Sequence, residues 1–214
     1  MITMHDFEST LKLETERLCL DFTNTVNWHA SQNPIEELPT YHDLLAWAQK
    51  IGLVDEPGAQ RLKRQAARRP REAVAVLARA HTVREAIFRL LTATAHQEAW
   101  DPADLALVNA ELPASFTHLQ LSAVPEANFA LRWQAEPEAL DRMLWPVVYS
   151  AADLLTQPEL LSRVGECADD RGCGYLFLDM TKNRSRRWCD MKDCGNRAKA
   201  RRHYERQKIE GSRQ

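Results

Sequence analysis

The stretch CADDRGCGYLFLDMTKNRSRRWCDMKDC, residues 167–194, holds four of the five cysteines in this 214-residue chain. Their spacing is C-x5-C-x15-C-x4-C. Two close cysteine pairs on either side of a short strand-forming segment can present four thiolates in the tetrahedral arrangement that Zn²⁺ prefers. We therefore predict one structural zinc ion per chain, held by four ligands: Cys167, Cys173, Cys189 and Cys194.

Other uses of the four thiols fit their surroundings less well. Disulfides are typical of secreted proteins, and the N-terminal stretch MITMHDFESTLKLE has neither the basic nor the apolar region of a secretory signal. An iron–sulfur cluster also takes four thiolates, but the arginine-rich surroundings and the helix that follows favour zinc. A catalytic zinc keeps an open position, which four thiolates would not leave.

The residues that follow the cysteines predict a basic helix. Asn196–Ile209 reads NRAKARRHYERQKI, which is rich in helix formers and has Asn196 as an N-cap. From Met180 onward the chain has 12 Lys+Arg and 4 Asp+Glu, a charge of +8. A rigid basic helix suits contact with phosphates and entry into a major groove. The residues that we predict to contact DNA are Arg186, Arg187, Asn196, Arg197, Lys199, Arg201 and Arg202.

The preceding part of the chain is acidic, and its sequence predicts a mainly helical structure. Residues 1–166 carry 15 Lys+Arg and 23 Asp+Glu, a charge of −8. Apolar residues at helical spacing predict helices over residues 38–52, 58–69, 70–97 and from Asp101, and a further helix from Pro137 that Pro146 should kink. Alternation predicts a hairpin of residues 116–123 and 128–135, and a strand at residues 17–26. The fold class is α+β, mainly α with a small β-hairpin, followed by a four-cysteine zinc finger with its own hairpin and basic helix.

A further prediction concerns the polar residues of the stretch LCLDFTNTV, residues 18–26. Asp21, Asn24 and Thr25 could line a ligand pocket, or could close the strand with local hydrogen bonds. Cys19 in the same stretch reads as a buried, inert thiol. An enzyme site would be sought here too, with His29 nearby, but no nucleophile–base pair or phosphate-binding motif supports one, so we predict that the protein is not an enzyme.

The stretch RRWCDMKDCGNRAKARRHY, residues 186–204, resembles the CGNR zinc finger, named for the run at Cys194–Arg197. The first cysteine pair and the Phe-x-Asp strand in residues 167–183 agree with it. The stretches LCLDFTNTV and YHDLLAWAQKIGL, the second at residues 41–53, resemble the ABATE domain of stress-induced transcription regulators. The resemblance implies a bacterial, zinc-binding, DNA-binding regulator whose N-terminal domain senses a signal or mediates assembly.

The expected organisation is an ABATE-like domain at residues 1–160, the zinc finger at 161–210 and a tail at 211–214. DNA is the expected partner of the finger, with RNA or a protein as the alternative, since four-cysteine fingers serve all three uses. A small-molecule effector and a homodimer are left open. No window holds the ~18 consecutive apolar residues of a membrane span, and the cytoplasm is the expected location.

Overall fold

The computed structural model describes residues 17–124, 128–134 and 138–211. Within these ranges the chain is mostly helical, with three two-stranded antiparallel sheets and a cluster of four cysteines that precedes the last helix. The predicted fold class is therefore confirmed.

The helices are α1 Leu18–Thr23, α2 Tyr41–Lys50, α3 Glu56–Arg68, α4 Pro70–His96, α5 Pro102–Thr117, α6 Leu144–Leu155, α7 Pro158–Leu161 and α8 Asn196–Gly211, with a π-helical turn at Met191–Gly195. The strands are β1 Val26–Asn27, β2 Ile35–Glu36, β3 Leu119–Val124, β4 Asn128–Trp133, β5 Val164–Glu166 and β6 Leu176–Leu178. They pair as β1 with β2, β3 with β4, and β5 with β6.

Polar caps and prolines begin several helices, whereas Asn196, predicted as an N-cap, has helical dihedrals and is the first residue of α8 after the π-helical turn. Thr40 and Asp43 form a reciprocal capping box at the start of α2. Asp101 caps α5, and prolines occupy the first positions of α4 and α5, where a missing N–H costs no hydrogen bond. The long helix α4 matches its predicted extent and packs against α1, α3 and α5.

The prediction of a strand at residues 17–26 is wrong, because Leu18–Thr23 is a helix. Leu18, Leu20 and Phe22 alternate in sequence, but Cys19 between them is also fully buried. A segment that is buried on most sides has no polar face to set its period, so alternation is a poor guide to its structure.

Two other predicted elements differ from the structure. The helix expected from Pro137 begins at Leu144, so Pro146 lies in its first turn, where proline breaks no hydrogen bond and no kink is needed. Helix α5 extends to Thr117 and takes residues that we assigned to the first hairpin strand. Of the expected hairpin turn at 124–127, Val124 belongs to β3, and residues 125–127, like Pro137, lie outside the described residues.

The finger hairpin shares the hydrophobic core of the helical body. Val164 on β5 and Leu176 and Leu178 on β6 are buried in the same apolar cluster as residues of α1, α4 and α6. In register, Gly165 lies opposite Phe177, and a Cβ at Gly165 would come within 2.8 Å of that ring. The hairpin thus packs in the core of the body and also leads into the cysteine cluster of the finger. Among the described residues, no helix is long and apolar enough to cross a membrane.

Candidate metal centre

The structure brings the four predicted ligands together. The Sγ atoms of Cys167, Cys173, Cys189 and Cys194 all lie within 4.8 Å of one another. Cys189 Sγ is 3.5 Å from Cys194 Sγ and 3.8 Å from Cys173 Sγ, and the Cys173–Cys194 separation is also 3.8 Å.

These distances fit a zinc tetrahedron. Four sulfurs at about 2.3 Å from a central Zn²⁺ are about 3.8 Å apart. A disulfide needs sulfurs about 2.05 Å apart, and all four thiols are free. The four-sulfur donor set therefore fits one structural zinc ion with a closed coordination shell. Hydrogen bonds from Cys173 and Cys189 lower the pKa of Cys167, whereas the crowded sulfurs and burial raise the pKa of Cys173, Cys189 and Cys194, as expected when four thiols share one site.

Short, tightly turned elements supply the ligands. Cys167 directly follows β5, and its N–H donates to the Tyr175 carbonyl just before β6. Cys173 lies between Gly172 and Gly174, whose φ angles of +86° and +68° favour glycine. Cys194 lies in the π-helical turn that leads directly into α8. The metal site therefore couples the hairpin to the last helix.

The glycines around Cys173 also permit contact with the body. A Cβ at Gly172 would lie 2.6 Å from the Ala30 carbonyl oxygen, and one at Gly174 would lie 2.6 Å from the Ala30 nitrogen. The N–H of His29 donates to the Cys173 carbonyl at 3.1 Å. The loop between β1 and β2 thus lies directly against the first cysteine pair.

Asn24 forms a second link between body and finger. Its side-chain amide donates to the Leu176 carbonyl and accepts from the Leu176 N–H, both at 2.9 Å. These two bonds continue the ladder along the outer edge of β6. Sequence reasoning offered no sign of this pairing, because a contact across 152 residues leaves no local pattern.

Trp28 lies beside two arginines of the finger. The guanidinium carbons of Arg171 and Arg197 are 4.9 Å and 5.4 Å from the centre of its ring. Trp28 has a φ of +56°, which is rare for a bulky residue and orients the loop toward the finger. Sequence analysis missed Trp28 as well.

The arginine of the Cys-Gly-Asn-Arg run supports the metal ligands. Arg197 donates from Nη2 to Cys194 Sγ at 3.0 Å and pairs with Asp193. Its Nε is 3.6 Å from Asp169, a buried carboxylate that Arg171 holds through two charged hydrogen bonds. Arg171 lowers the pKa of Asp169 well below its usual range. Arg197 therefore donates to a ligand sulfur while carboxylates hold the arginine in place. Contacts of this kind around the ligands orient them toward a metal.

A second carboxylate organises the finger's long loop. Asp179 accepts hydrogen bonds from the N–H groups of Thr181 and Arg186, at 2.9 Å and 2.8 Å. Although burial opposes it, these bonds keep the pKa of Asp179 below its usual range. Arg186 stacks 4.2 Å over Phe177 and donates to the Cys189 and Trp188 carbonyls. The loop is therefore ordered by its own polar contacts.

The candidate DNA-contact residues fall into two groups. Arg187, Asn196 and Lys199 are exposed. Arg186, which is also exposed, and the half-buried Arg197 and Arg201 hold contacts within the protein, and the partner of Arg201 is Asp170. The side chain of Arg202 lies outside the described part of the structure. DNA contact by any of the seven stays a prediction.

The three residues predicted to line a ligand pocket, Asp21, Asn24 and Thr25, have different surroundings. Asn24 pairs with Leu176, and the buried Thr25 hydroxyl donates to the Phe22 carbonyl and accepts from Arg84. Asp21 is half-buried on α1. Ligand binding by these residues stays a prediction. Cys19 is fully buried, and burial raises its thiol pKa to about 11, as expected for an inert thiol.

The fold and the site define a helical domain that carries a docked four-cysteine zinc finger. The chain belongs to the ABATE family, described as "Putative stress-induced transcription regulator", whose profile matches residues 16–158. The CGNR zinc finger matches residues 163–207. The family resemblance drawn from the sequence is therefore confirmed. No curated protein matches the chain.

Proposed function

We propose that this protein is a zinc-dependent transcription regulator whose finger binds duplex DNA. The observation that carries the proposal is a set of basic side chains on the outside of the zinc-ordered finger. Arg171 and Arg186 are exposed but hold hydrogen bonds within the finger, and the other described basic side chains that are exposed are Lys182, Arg184, Arg187, Lys192 and Lys199. They lie on the loop after β6, the π-helical turn and α8, which the four cysteines tie together.

The acidic residues of the finger support the same proposal. Asp169, Asp170 and Asp193 are each paired with an arginine of the finger. Their charges are therefore neutralised locally, and among the described side chains of the finger the exposed basic groups outnumber the exposed carboxylate of Asp190. Such a surface attracts phosphates and releases counterions when it binds.

In this proposal the zinc is structural, at one ion per chain, and the helical body has no catalytic role. We assign the body the sensing or assembly role that the resemblance implies, with a small-molecule effector or a second copy as its partner. Thiolate ligation and a DNA target both suit the reducing cytoplasm as the place of action.

The test is binding of the zinc-loaded full chain to genomic duplex fragments over a series of salt concentrations. If each of the five exposed basic side chains contacts one phosphate, the slope of log K against log salt is roughly −4.5. Arg187→Ala should reduce the magnitude of that slope by about one. Arg71→Ala, which removes an exposed arginine from α4, is the matched control and should leave the slope unchanged.

Retention of no fragment at low salt, with stoichiometric zinc confirmed by metal analysis, would contradict the proposal. The same protein would then be tested against single-stranded and structured RNA. Tighter binding to RNA than to duplex DNA would assign the finger to RNA instead.

A further inference from the structure

Helix α8 has two faces that differ in what their side chains do. Ala198 is buried against the finger, and Arg197 and Arg201 on the same side are paired with Asp193 and Asp170. Successive residues of an α-helix are about 100° apart, so these three residues share one side of the helix. This is the anchored face.

The opposite face is exposed at every position that is described. It comprises Asn196, Lys199, Ala200, His203, Tyr204 and Gln207. These positions recur at intervals of three and four residues, which places them in one continuous stripe along the helix. We call this stripe the outer face of α8.

We propose that the outer face of α8 enters the major groove and reads base edges, while the anchored face does not touch the DNA. This inference rests on the proposed function and deepens it, since it names the surface that selects the sequence. It also differs from the expectation that Arg197 and Arg201 contact DNA.

The chemistry of the outer face suits base recognition. Asn and Gln side chains match the donor and acceptor of adenine in the major groove, and Lys matches the acceptors of guanine. Ala200 adds little bulk, so the helix axis can approach the bases closely. Gln207 Nε2 lies 3.1 Å from His203 Nε2, so these two side chains are already ordered with respect to each other.

The dimensions and the surrounding charges also fit a duplex. The outer face runs from residue 196 to residue 207, about 17 Å along the axis, which matches about five base pairs. Lys192 and the basic loop residues Arg184 and Arg187 are exposed on the same finger. In a complex they would contact the phosphates that flank the groove, and so would complement the base contacts.

The ion pairs of the anchored face argue against a direct role in DNA contact. Arg197 also donates to Cys194 Sγ, so moving it to a phosphate would remove a hydrogen bond from a metal ligand. Arg201 would leave Asp170 without its paired charge and facing the negative backbone of the DNA. The anchored face therefore orients the helix, and the outer face is left to bind.

The experiment selects duplexes from a pool with a randomised central region, using the zinc-loaded full chain at fixed salt. The variant His203→Ala/Gln207→Ala removes two exposed side chains from the outer face. It should bind the sequence selected by the unmodified protein about 10–100-fold more weakly. Its affinity for an unrelated duplex should change less than about twofold, because non-specific binding depends on the phosphate contacts.

The matched control is Asp170→Asn/Arg201→Gln, which removes an ion pair from the anchored face and leaves the net charge unchanged. It should select the same sequence as the unmodified protein. Zinc content and thermal unfolding of both variants verify that the finger is intact.

Three outcomes would overturn the inference. One is an altered sequence preference in the Asp170→Asn/Arg201→Gln protein. Another is an unaltered preference in the His203→Ala/Gln207→Ala protein. The last is salt-dependent duplex binding by the unmodified chain without any selected sequence, which would preserve DNA binding but remove base reading. Absence of duplex binding altogether would instead reject the proposed function.

Discussion

At the scale of single residues, the zinc centre depends on glycines as much as on cysteines. Gly172 combines a left-handed backbone with a contact in which an added Cβ would lie 2.6 Å from backbone atoms of Ala30 and Ser31. Backbone atoms cannot move aside as the end of a flexible side chain can. The position therefore couples the shape of the cysteine turn to the docking of the finger on the body.

Gly172→Ala should destabilise the protein by at least about 1–2 kcal/mol, the usual cost of a left-handed conformation for a residue with a Cβ. It should also weaken zinc retention, because relief of the clash requires the Cys173 turn to move. Thermal unfolding and competition with a zinc chelator measure the two effects.

Gly52→Ala is the matched control for this prediction. Gly52 has a φ of +76° after α2, so the same substitution carries a similar backbone cost far along the chain from the cysteines. We expect loss of stability there without loss of zinc affinity. Equal zinc affinity in the Gly172→Ala and unmodified proteins would show that the contact with Ala30 does not matter to the metal site.

Residue identity explains why the four-cysteine cluster was predicted from the sequence and the role of Asn24 was not. A cysteine pair at short spacing has few uses in a protein without disulfides, so residue type and spacing together predict a metal. An asparagine has many uses. Its pairing with the two polar groups of Leu176 depends on a partner 152 residues away.

At the scale of elements, the finger consists of a hairpin, an ordered loop and a helix that converge on the cysteine cluster. Helix α8 packs mainly against the π-helical turn that precedes it. We therefore expect zinc ligation, together with the ion pairs of Arg197 and Arg201, to hold α8 in place.

Cys189→Ser should abolish stoichiometric zinc binding, because removal of one of four thiolates opens the coordination shell. The expected fall is from one zinc ion per chain to nearly none, measured by metal analysis after dialysis. The thermal unfolding of the helical body should persist.

Cys19→Ala is the control for Cys189→Ser. Cys19 is fully buried in the body core and is not a member of the cysteine cluster, so its loss should leave zinc stoichiometry unchanged. Retention of one zinc ion in the Cys189→Ser protein would contradict the four-ligand assignment.

Elements that are buried on most sides were the hardest to predict. The short helix α1 is apolar on most sides, and its sequence was taken for a strand. By contrast, α2 begins with a capping box, α4 begins with a proline, and both have a solvent-facing side; both were predicted within a few residues. Periodicity identifies an element only when one of its faces meets water.

At the scale of the whole molecule, the finger and the body share one hydrophobic core. The finger hairpin contributes Val164, Leu176 and Leu178 to that core, and Asn24 and the His29 N–H add hydrogen bonds across the same boundary. The junction between the two matched families is thus packed and hydrogen-bonded.

Removal of zinc should therefore unfold the finger only in part. We expect fast amide hydrogen exchange in the loop at residues 181–187 and in α8 once a chelator has removed the metal. The amides of β6 should remain protected, because the body core and Asn24 still hold that strand. Exchange measured by mass spectrometry before and after chelation tests this.

A loss of protection in β6 equal to that in α8 would show that the whole finger depends on zinc. In that case the shared core would contribute little to the hairpin's stability. The amides of α4 serve as the internal reference, since that helix should exchange slowly in both states.

The sequence alone predicted the four-cysteine cluster, the last helix with its basic residues and the mostly helical class of the body. Each of these depends on residue type and on spacing within a few tens of residues, which is what a sequence displays. Only the tertiary structure decided which arginines are anchored, which face of α8 is exposed, and that Asn24, Trp28 and the loop at His29 hold the finger. Those features are contacts between distant segments, and the free energy of such contacts depends on geometry that no local pattern encodes.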